Sequence, residues 1–384
     1  MKKKVVYWSP CLNPVGTLKA TINSAISLSR YDNKNQNSIT IINSCGEWDN
    51  SAKKFLENKV NLFNLSFSYF KYLPKFGYIK SRFSYLVIFF ISLFPLVKFL
   101  KKEKPDFLII HLITSLPLLI FNIFPFKTKL ILRISGYPKL NFLRKFFWKI
   151  CAKNIYYVTT PTYATLNLIK ENNIFSEKKL RYLPDPILEP KEIQAKKNKL
   201  VSFSKKFAPK KSLISIGRLT KQKNYQFLID AFYEIQKKDN NINLFILGDG
   251  DEKNKLLKRI KELDLVDKIF LIGHQENVYN YLKDAKIFIL TSLWEDPGFV
   301  LLEAGFMNKV VLSSDCPSGP SEILDNGNNG YIYKSNSLTD FIEKYEKIRS
   351  EDDKIIIEKK INLKKKCKEF TCFNHYRVFN KILG

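Results

Sequence analysis

Gly217, Arg218 and Lys223 have the types and spacing of a phosphate-binding group. An apolar run at residues 213–216 ends in Gly217-Arg218, and Lys223 follows five residues after the arginine. A glycine lets the chain turn while two cations converge, and converging positive charges are what a diphosphate requires. A strand-end Gly-Arg with a solvated lysine is also common in other proteins, so this motif alone is a weak signal.

A second group consists of two carboxylates, Glu295 and Glu303, eight residues apart after another apolar run. Pro297, Gly298 and Phe299 between them can form a helix N-terminus, whose free N–H groups and positive dipole end suit phosphate. A carboxylate one or two turns into such a helix can accept hydrogen bonds from ribose hydroxyls. The alternative is an ordinary amphipathic helix with acidic residues.

Both groups need strands and helices that hold them in place. Short apolar runs alternate with amphipathic ones along the chain, which predicts parallel sheets covered by helices on both faces. The runs interpreted as strands lie at residues 5–8, 39–42, 107–112, 130–134, 156–159, 213–216, 244–247, 269–272, 287–291 and 310–313.

The length of 384 residues exceeds what one hydrophobic core normally supports, so two domains are expected. Four prolines among lysines at residues 183–211 place a linker between them. The predicted organisation is a basic, aromatic-rich first domain, a linker, a second domain and a C-terminal segment. The predicted bounds are residues 1–188, 189–211, 212–360 and 361–384.

The two groups together, an S-x-G-R-L…K element followed about seventy residues later by an E-x7-E element, resemble the retaining family-four glycosyltransferases of the GT-B fold. Further elements fit the same family: the Gly248 turn, Gly319-Pro320 and Asn329-Gly330. The resemblance extends over nearly the whole chain. It implies an α/β protein with two Rossmann-like, doubly wound domains that face a central cleft. It also implies that the second domain binds the nucleotide-sugar donor and that the C-terminal helix packs back on the first domain.

The resemblance also implies roles for individual residues. Arg218 and Lys223 would neutralise the donor diphosphate, while Glu295 would contact hydroxyls of the transferred sugar. His111, which without the resemblance is a satisfied core histidine, would line the reaction centre. The expected donor-binding residues are Gly16, Gly217, Gly248, Pro297, Gly298, Phe299, Val300, Glu303, which would hold the ribose, and His274.

The chain departs from the family pattern in two places. Asp296-Pro297 stands where the family usually has Gly-Phe, and the first glycine loop has only Gly16. Asp249-Gly250-Asp251 spells the D-x-D of metal-dependent transferases, but its position after a strand and Gly248 predicts a loop. No metal and no cofactor are expected, because the two cations supply the charge and the nucleotide-sugar is a substrate.

The net charge of +28 is concentrated in the first half, where residues 51–150 hold 18 basic and 3 acidic residues. Such a surface suits anionic lipid or nucleic acid. No zinc-finger spacing, basic heptad helix or aromatic RNA-binding strand is found, so no nucleic acid partner is expected. A lysine-rich composition without functional meaning is the plain alternative.

The apolar run at residues 85–97 is shorter than the ~20 residues of a spanning helix and contains Pro95. It is therefore interpreted as a buried helix or, with the basic and aromatic residues 141–153, as an interfacial anchor. No export signal precedes residue 10, and the six cysteines are interpreted as reduced thiols. A cytoplasmic protein, peripheral on the inner face of the membrane, is expected.

The predicted function is sugar transfer with retention from a nucleotide-sugar to a membrane-associated glycan or a polyprenyl- or other lipid-linked saccharide. Residues 316–320 slightly favour a UDP-sugar. The alternatives are a non-catalytic GT-B protein bound to membrane or nucleic acid, and an enzyme of the same fold that epimerises or phosphorolyses sugars.

Overall fold

The computed structural model describes residues 2–12, 16–74, 78–199 and 212–384. The strands are β1 (Lys3–Trp8), β2 (Asn37–Asn43), β3 (Asn61–Asn64), β4 (Phe107–Ile110), β5 (Lys129–Arg133), β6 (Ile155–Thr160), β7 (Leu180–Tyr182), β8 (Ser212–Ile216), β9 (Asn243–Leu247), β10 (Ile269–Gly273), β11 (Ile287–Leu290), β12 (Val310–Ser314) and β13 (Tyr331–Tyr333).

The α-helices alternate with these strands. They are α1 (Gly16–Arg30), α2 (Ala52–Glu57), α3 (Tyr78–Glu103), α4 (Ser115–Ile123), α5 (Phe142–Cys151), α6 (Tyr163–Glu171), α7 (Pro190–Lys197), α8 (Tyr225–Lys238), α9 (Lys253–Glu262), α10 (Tyr279–Asp284), α11 (Phe299–Phe306), α12 (Gly319–Ile323), α13 (Leu338–Ser350), α14 (Asp353–Cys367) and α15 (Cys372–Leu383).

The chain forms two compact units, and each contains one parallel sheet. The first unit comprises Met1–Ile187 with Cys372–Gly384, and the second comprises Leu188–Thr371. The predicted class, an α/β protein with two Rossmann-like domains, is confirmed. The strands read as continuous apolar runs because helices cover both faces of each sheet.

The sheet of the first unit has seven strands in the order β3-β2-β1-β4-β5-β6-β7. One face packs on α3, α4, α5 and α6 through a core that includes Trp8, Leu108 and Leu132. The other face packs on α1 and α15 through Tyr7, Ile41 and Ile109. The strand order reverses between β1 and β4, which is where open α/β sheets bind ligands.

The sheet of the second unit has six strands in the order β10-β9-β8-β11-β12-β13. The helices α8, α9 and α13 pack on one face through a core that includes Phe232, Ile246 and Phe341. On the other face, α14 packs against α11 so closely that a side chain at Gly305 would meet Leu363 and Cys367. The strand order reverses between β8 and β11.

The structure differs from the predicted segment bounds at both connections between the units. Part of the predicted linker is the helix α7, because Pro190 suits a first helical turn and Ile193 is buried against the second unit. The remaining predicted linker residues, 200–211, lie outside the described residues. The predicted C-terminal helix is two helices, because a turn at Lys368–Phe370 with buried Phe370 separates α14 from α15. Only α15 belongs to the first unit.

The helix α3 corrects the interpretation of residues 85–97 as too short to span a membrane. It extends for 26 residues and continues through Pro95. Packing on both sides of the proline, by Ile88 before it and by Leu96 and Leu100 after it, compensates for the missing N–H. The segment Lys80–Glu103 is long and apolar enough to cross a membrane, although 39% of its most apolar window is buried within the protein.

Candidate active site

The predicted diphosphate and sugar residues of the second unit lie at the point where its strand order reverses. Gly217 and Arg218 directly follow β8, and the loop after β11 carries Ser292 and Glu295. Since β8 and β11 are neighbouring parallel strands, their carboxyl ends lie side by side. The topology therefore brings together two motifs that are far apart in sequence.

Lys223 and Glu295 form an ion pair across this point. The ammonium contacts the carboxylate oxygen Oε1 directly, and the side chains are only 14% and 8% exposed. The Ser292 hydroxyl donates a second hydrogen bond to the same oxygen, at 2.6 Å. A carboxylate with two donors has a fixed orientation, so Glu295 is held ready to accept hydrogen bonds through its other oxygen.

Backbone contacts fix the two loops to each other. The Thr291 hydroxyl donates to the carbonyl of Lys223 at 2.7 Å, and the amide of Leu293 donates to the carbonyl of Gln222 at 2.8 Å. The Gln222 side chain donates to the carbonyl of Trp294, also at 2.8 Å. Because the two loops are hydrogen-bonded to each other, their charged side chains have little freedom to reorganise.

The helix α11 begins where the sequence predicts a helix N-terminus. Gly298 precedes it with φ of 93°, a left-handed conformation that favours glycine, and Phe299 and Val300 are its first two residues. Their N–H groups have no acceptor in the preceding turn. The Glu295 side chain lies against Gly298, since a Cβ built there would be 3.5 Å from that of Glu295.

The loop before α11 is also held from the opposite side. A Cβ at Gly319 would lie 1.8 Å from the carbonyl oxygen of Pro297, so only glycine fits. The Ser318 hydroxyl donates to Asp296 at 3.0 Å. Asp296-Pro297, the departure from the family pattern, is thus part of a packed loop.

Glu303, the predicted ribose acceptor, is buried in the second turn of α11. The hydroxyl of Tyr279, on α10, donates to its Oε1 at 3.1 Å. Both side chains are almost fully buried, so this bond helps to fix the orientation of the Glu303 carboxylate.

Tyr279→Phe is expected to weaken nucleotide binding by about tenfold, because a hydrogen bond to a charged group contributes about 1.5 kcal/mol. Calorimetric titration with the nucleotide would measure the change. The matched control is Tyr281→Phe on the same helix, where the lost bond goes to Gln275 instead. Equal loss in both variants would mean that Tyr279 acts only on the packing of α10.

The remaining predicted residues of the second unit occupy the carboxyl ends of the adjacent strands. The backbones of Gly217 and Gly248 touch, and a Cβ at Gly248 would lie 1.8 Å from the carbonyl oxygen of Gly217. Arg218 is exposed. Among the described residues of its own unit, 188–199 and 212–371, no side chain or backbone group forms a hydrogen bond or an ion pair with its guanidinium. His274 follows β10 and is exposed. The structure assigns neither of these two side chains a structural role.

In the first unit, Gly16 and His111 lie at the equivalent reversal, after β1 and β4. Gly16 is the exposed first residue of α1. The His111 ring is buried, and its Nδ1 lies 3.3 Å from the Thr21 hydroxyl and 3.5 Å from that of Ser135. The structure thus gives His111 the hydrogen bonds of a core histidine at a strand end where a ligand-contacting residue is expected.

A buried polar network surrounds the floor of this site. Tyr7 donates to Ser24 at 2.8 Å, and Ser24 donates to Nε2 of His375 at 2.8 Å. The Nδ1 of His375 donates to the carbonyl of Pro184 at 2.7 Å, so the ring is a neutral tautomer. Burial lowers the pKa of His375 to about 3. Burial and the neighbouring Arg133 also lower the pKa of His111 well below its usual value.

These two histidines predict that the first unit loses stability in mild acid. The unfolded chain takes up protons below its histidine pKa of about 6.5, whereas the folded chain keeps both rings neutral. Each ring therefore contributes a loss of roughly 1.4 kcal/mol per pH unit below that value, until the folded pKa is reached.

Unfolding by denaturant between pH 7 and 5 measures this slope. His375→Gln is expected to have a shallower slope than the wild type, and His375→Gln with His111→Gln a shallower slope still. If all three proteins had the same slope, other groups would govern the acid sensitivity.

The chain is similar to known proteins in sequence and in fold. Residues 196–369 match the family model of glycosyl transferases group 1. An uncharacterized glycosyltransferase of Methanocaldococcus jannaschii is 31% identical over 247 residues, which make up 60% of this chain and 61% of that protein. The second unit is therefore similar to the group 1 glycosyltransferases, and the chain spans less than two thirds of the length of this relative.

A second relative is more completely covered. It is a Campylobacter jejuni N-acetylgalactosaminyltransferase named for a diphospho-undecaprenol-linked saccharide, 26% identical over 346 residues, or 86% of this chain and 89% of that protein. A solved Rickettsia africae glycosyltransferase has the same fold, with a TM-score of 0.75, 16% identity and coverage of 100% of this chain and 98% of that one.

An Anabaena protein solved in complex with UDP also shares the fold. Its TM-score is 0.73 at 14% identity, with 99% of each chain covered. At these identities the solved structures establish the GT-B fold of this chain and nothing more. Its activity, donor and acceptor are therefore argued below from its own residues.

Several residues that build the candidate site are not among those predicted from the sequence. Ser292 and Thr291 could have been identified, because their hydroxyls directly follow an apolar strand, three and four residues before Glu295. Tyr279 has no such signal, because an aromatic residue in an amphipathic helix is normally interpreted as core.

Asp249-Gly250-Asp251 lies in the turn between β9 and α9. The Asp249 carboxylate accepts from the amide of Gly250 at 2.9 Å and lies 3.8 Å from the ammonium of Lys253. Within the described ranges, no group of three histidine, cysteine or acidic side chains is arranged to hold a metal ion. All six cysteines are buried free thiols.

Proposed function

We propose that this protein transfers a sugar, with retention of configuration, from a nucleotide-sugar to a saccharide carried by a membrane lipid. The observation that carries the proposal is the Lys223–Glu295 pair at the strand-order reversal of the second unit, beside the N-terminus of α11. That arrangement combines cationic and amide donors for a diphosphate with carboxylates for sugar hydroxyls.

The proposed reaction breaks the bond between the sugar C1 and the diphosphate oxygen and forms a bond from C1 to the acceptor hydroxyl on the same face. The acceptor proton passes to the departing diphosphate. Arg218, Lys223 and the amides of Phe299 and Val300 neutralise the charge that develops there. The Lys223 ammonium has three donor hydrogens, so it can hold Glu295 and a phosphate together. We propose no metal, since these donors already face the diphosphate.

Glu303 is proposed to accept hydrogen bonds from the ribose, and Glu295 from the transferred sugar. A UDP-sugar is the proposed donor, an assignment supported by the resemblance of residues 316–320 to family members that use UDP-sugars. His111 and Gly16 are proposed to contribute from the first unit, and His274 from the second.

The donor is tested by calorimetric titration with UDP, GDP, ADP and dTDP in EDTA. UDP is expected to bind, and Glu303→Gln is expected to weaken binding at least tenfold, since a hydrogen bond to a charged group contributes about 1.5–3 kcal/mol. The control is Glu276→Gln, at an exposed glutamate of the same unit. Absence of binding by all four nucleotides would overturn the proposal of a nucleotide-sugar transferase.

The proposed acceptor is held at an anionic membrane on the cytoplasmic side, and the support comes from α3, α4 and α5. These three helices lie side by side on one face of the first sheet and are called the α3–α5 layer below. Large apolar side chains project from this layer into solvent, far more than a soluble protein usually exposes in one place. They are Phe83, Leu86, Phe90, Phe94, Ile123, Phe142, Leu143, Phe146 and Ile150.

Basic residues accompany these apolar side chains. Lys80, Lys98 and Lys101 flank or follow the exposed stripe of α3, and Arg144 and Lys149 lie on α5. Aromatic side chains with lysines around them are typical of a surface that enters the lipid headgroup region.

Phe90→Ser with Phe146→Ser is expected to abolish flotation with anionic liposomes, whereas Phe373→Ser, at an exposed phenylalanine on α15, is not. Unchanged flotation of the double variant would contradict the proposal that the α3–α5 layer contacts the membrane.

A further inference from the structure

A groove of about 580 Å³ opens in the first unit between the edge strand β3 and the last turns of α3. Its walls are apolar and include Phe63, Leu65, Phe94 and Phe99. The rings of Phe63 and Phe99 are in contact, with centroids 4.5 Å apart. The volume falls within the range of small-molecule sites, and the lining suits a hydrocarbon rather than a polar ligand.

The rest of the lining consists of Pro95, two lysines, Lys98 and Lys102, and one carboxylate, Glu103. The two lysines are one helical turn apart and therefore project from the same side of α3. Among residues 2–12, 16–74, 78–199 and 212–384, no carboxylate in the same unit pairs with either ammonium; the nearby Glu103 lies 3.7 Å from Lys4 instead. Two unpaired ammonium groups above an apolar groove fit a phosphate attached to a hydrocarbon chain.

The groove is continuous with the exposed apolar stripe of the α3–α5 layer. Phe94 belongs to both: it lines the groove, is 78% exposed, and follows Phe90 by one helical turn. A lipid in the groove therefore emerges on the surface that carries the membrane-facing side chains.

The position of the lysines distinguishes this lipid from the sugar acceptor. The helix α3 ends at Glu103 and β4 starts at Phe107, so Lys102 lies at the amino-terminal edge of the parallel sheet. His111 and the predicted chemistry lie at the opposite, carboxyl-terminal edge. A phosphate held at Lys102 is thus on the wrong side of the sheet for transfer.

We propose that this groove binds one anionic membrane phospholipid, with an acyl chain between β3 and α3 and the phosphate between Lys98 and Lys102. The proposal depends on the membrane-facing surface described above and is independent of the transfer reaction. The lipid anchors and orients the first unit, and it is not consumed.

Dihexanoylphosphatidylglycerol below its micellar concentration tests the site without a bilayer. Titration calorimetry is expected to give one molecule per chain, with dihexanoylphosphatidylcholine and glycerol 3-phosphate each binding at least fivefold more weakly. Lys98→Gln with Lys102→Gln removes the phosphate contacts, and Leu65→Trp fills the groove while both lysines remain. Each change is expected to weaken binding at least fivefold. Lys53→Gln with Lys54→Gln, at exposed lysines of α2, is the matched control and is expected to leave binding unchanged.

Nucleotide titration of the same variants checks that they are folded and separates this proposal from the transferase proposal. Binding that is equal for both headgroups, or that survives Leu65→Trp, overturns the lipid site even if the nucleotide binds. If the wild type instead dimerises in analytical ultracentrifugation and Leu65→Trp makes it monomeric, a second copy occupies the groove and the lipid assignment is wrong.

Discussion

Arg218→Ala is expected to lower kcat by about 100- to 1,000-fold, the effect of removing one preorganised donor from a developing negative charge, roughly 2.7–4 kcal/mol. The guanidinium follows β8 at the strand-order reversal and is exposed. Because the Arg218 side chain has no packing role, we expect it to contribute to turnover through contact with the ligand and not to contribute to stability. The stability of the variant is therefore expected to be close to that of the wild type.

Transfer assays with the donor identified by titration measure this effect. The matched control is Lys221→Ala, which removes an exposed positive charge from the same loop. If turnover fell equally in both variants, the general positive potential of the loop would be responsible. Full turnover by Arg218→Ala would exclude its assignment to the diphosphate.

The sequence is sufficient to predict the fold class and the positions of the main site residues, because both depend on local patterns. Apolar runs that end in Gly217-Arg218 or precede Glu295 are strands whose carboxyl ends carry ligand-binding side chains. Parallel strands buried on both faces have few other interpretations. The start of α11 could be predicted for the same reason, since Gly298 marks a helix terminus locally.

The direct contact between Lys223 and Glu295 could not be predicted from the sequence. The two residues are 72 positions apart, and they meet only because β11 pairs with β8 rather than with its sequence neighbour β10. Each is assigned to a different part of the donor, and in the structure the two side chains also form an ion pair with each other. Tyr279 was missed for a similar reason, since its hydroxyl meets Glu303 through tertiary packing.

The errors in the segment bounds arose where a local rule was outweighed by packing. Pro95 predicts a break, but buried residues on both sides of it hold α3 as one helix. Pro190 was interpreted as part of a linker, although a proline is equally suited to the first turn of α7. Proline alone does not distinguish a helix end from a helix start or a tolerated kink.

Lys223→Met is expected to destabilise the second unit by roughly 3 kcal/mol, because it leaves the Glu295 carboxylate buried without its counter-ion. Methionine keeps the length of the side chain, so the loss reports charge rather than packing. A second substitution, Glu295→Gln, removes the stranded charge and is expected to restore most of the stability. The double-mutant cycle in denaturant unfolding measures the coupling between the two.

The matched control for this cycle is the exposed pair of Lys237 and Glu234, whose ammonium and carboxylate are 2.8 Å apart. Lys237→Met is expected to change stability by less than about 1 kcal/mol, since solvent screens exposed pairs. Similar costs at the two sites would mean that water reaches Glu295 freely. The carboxylate would then not be held in the fixed orientation from which its proposed contact with the donor sugar follows.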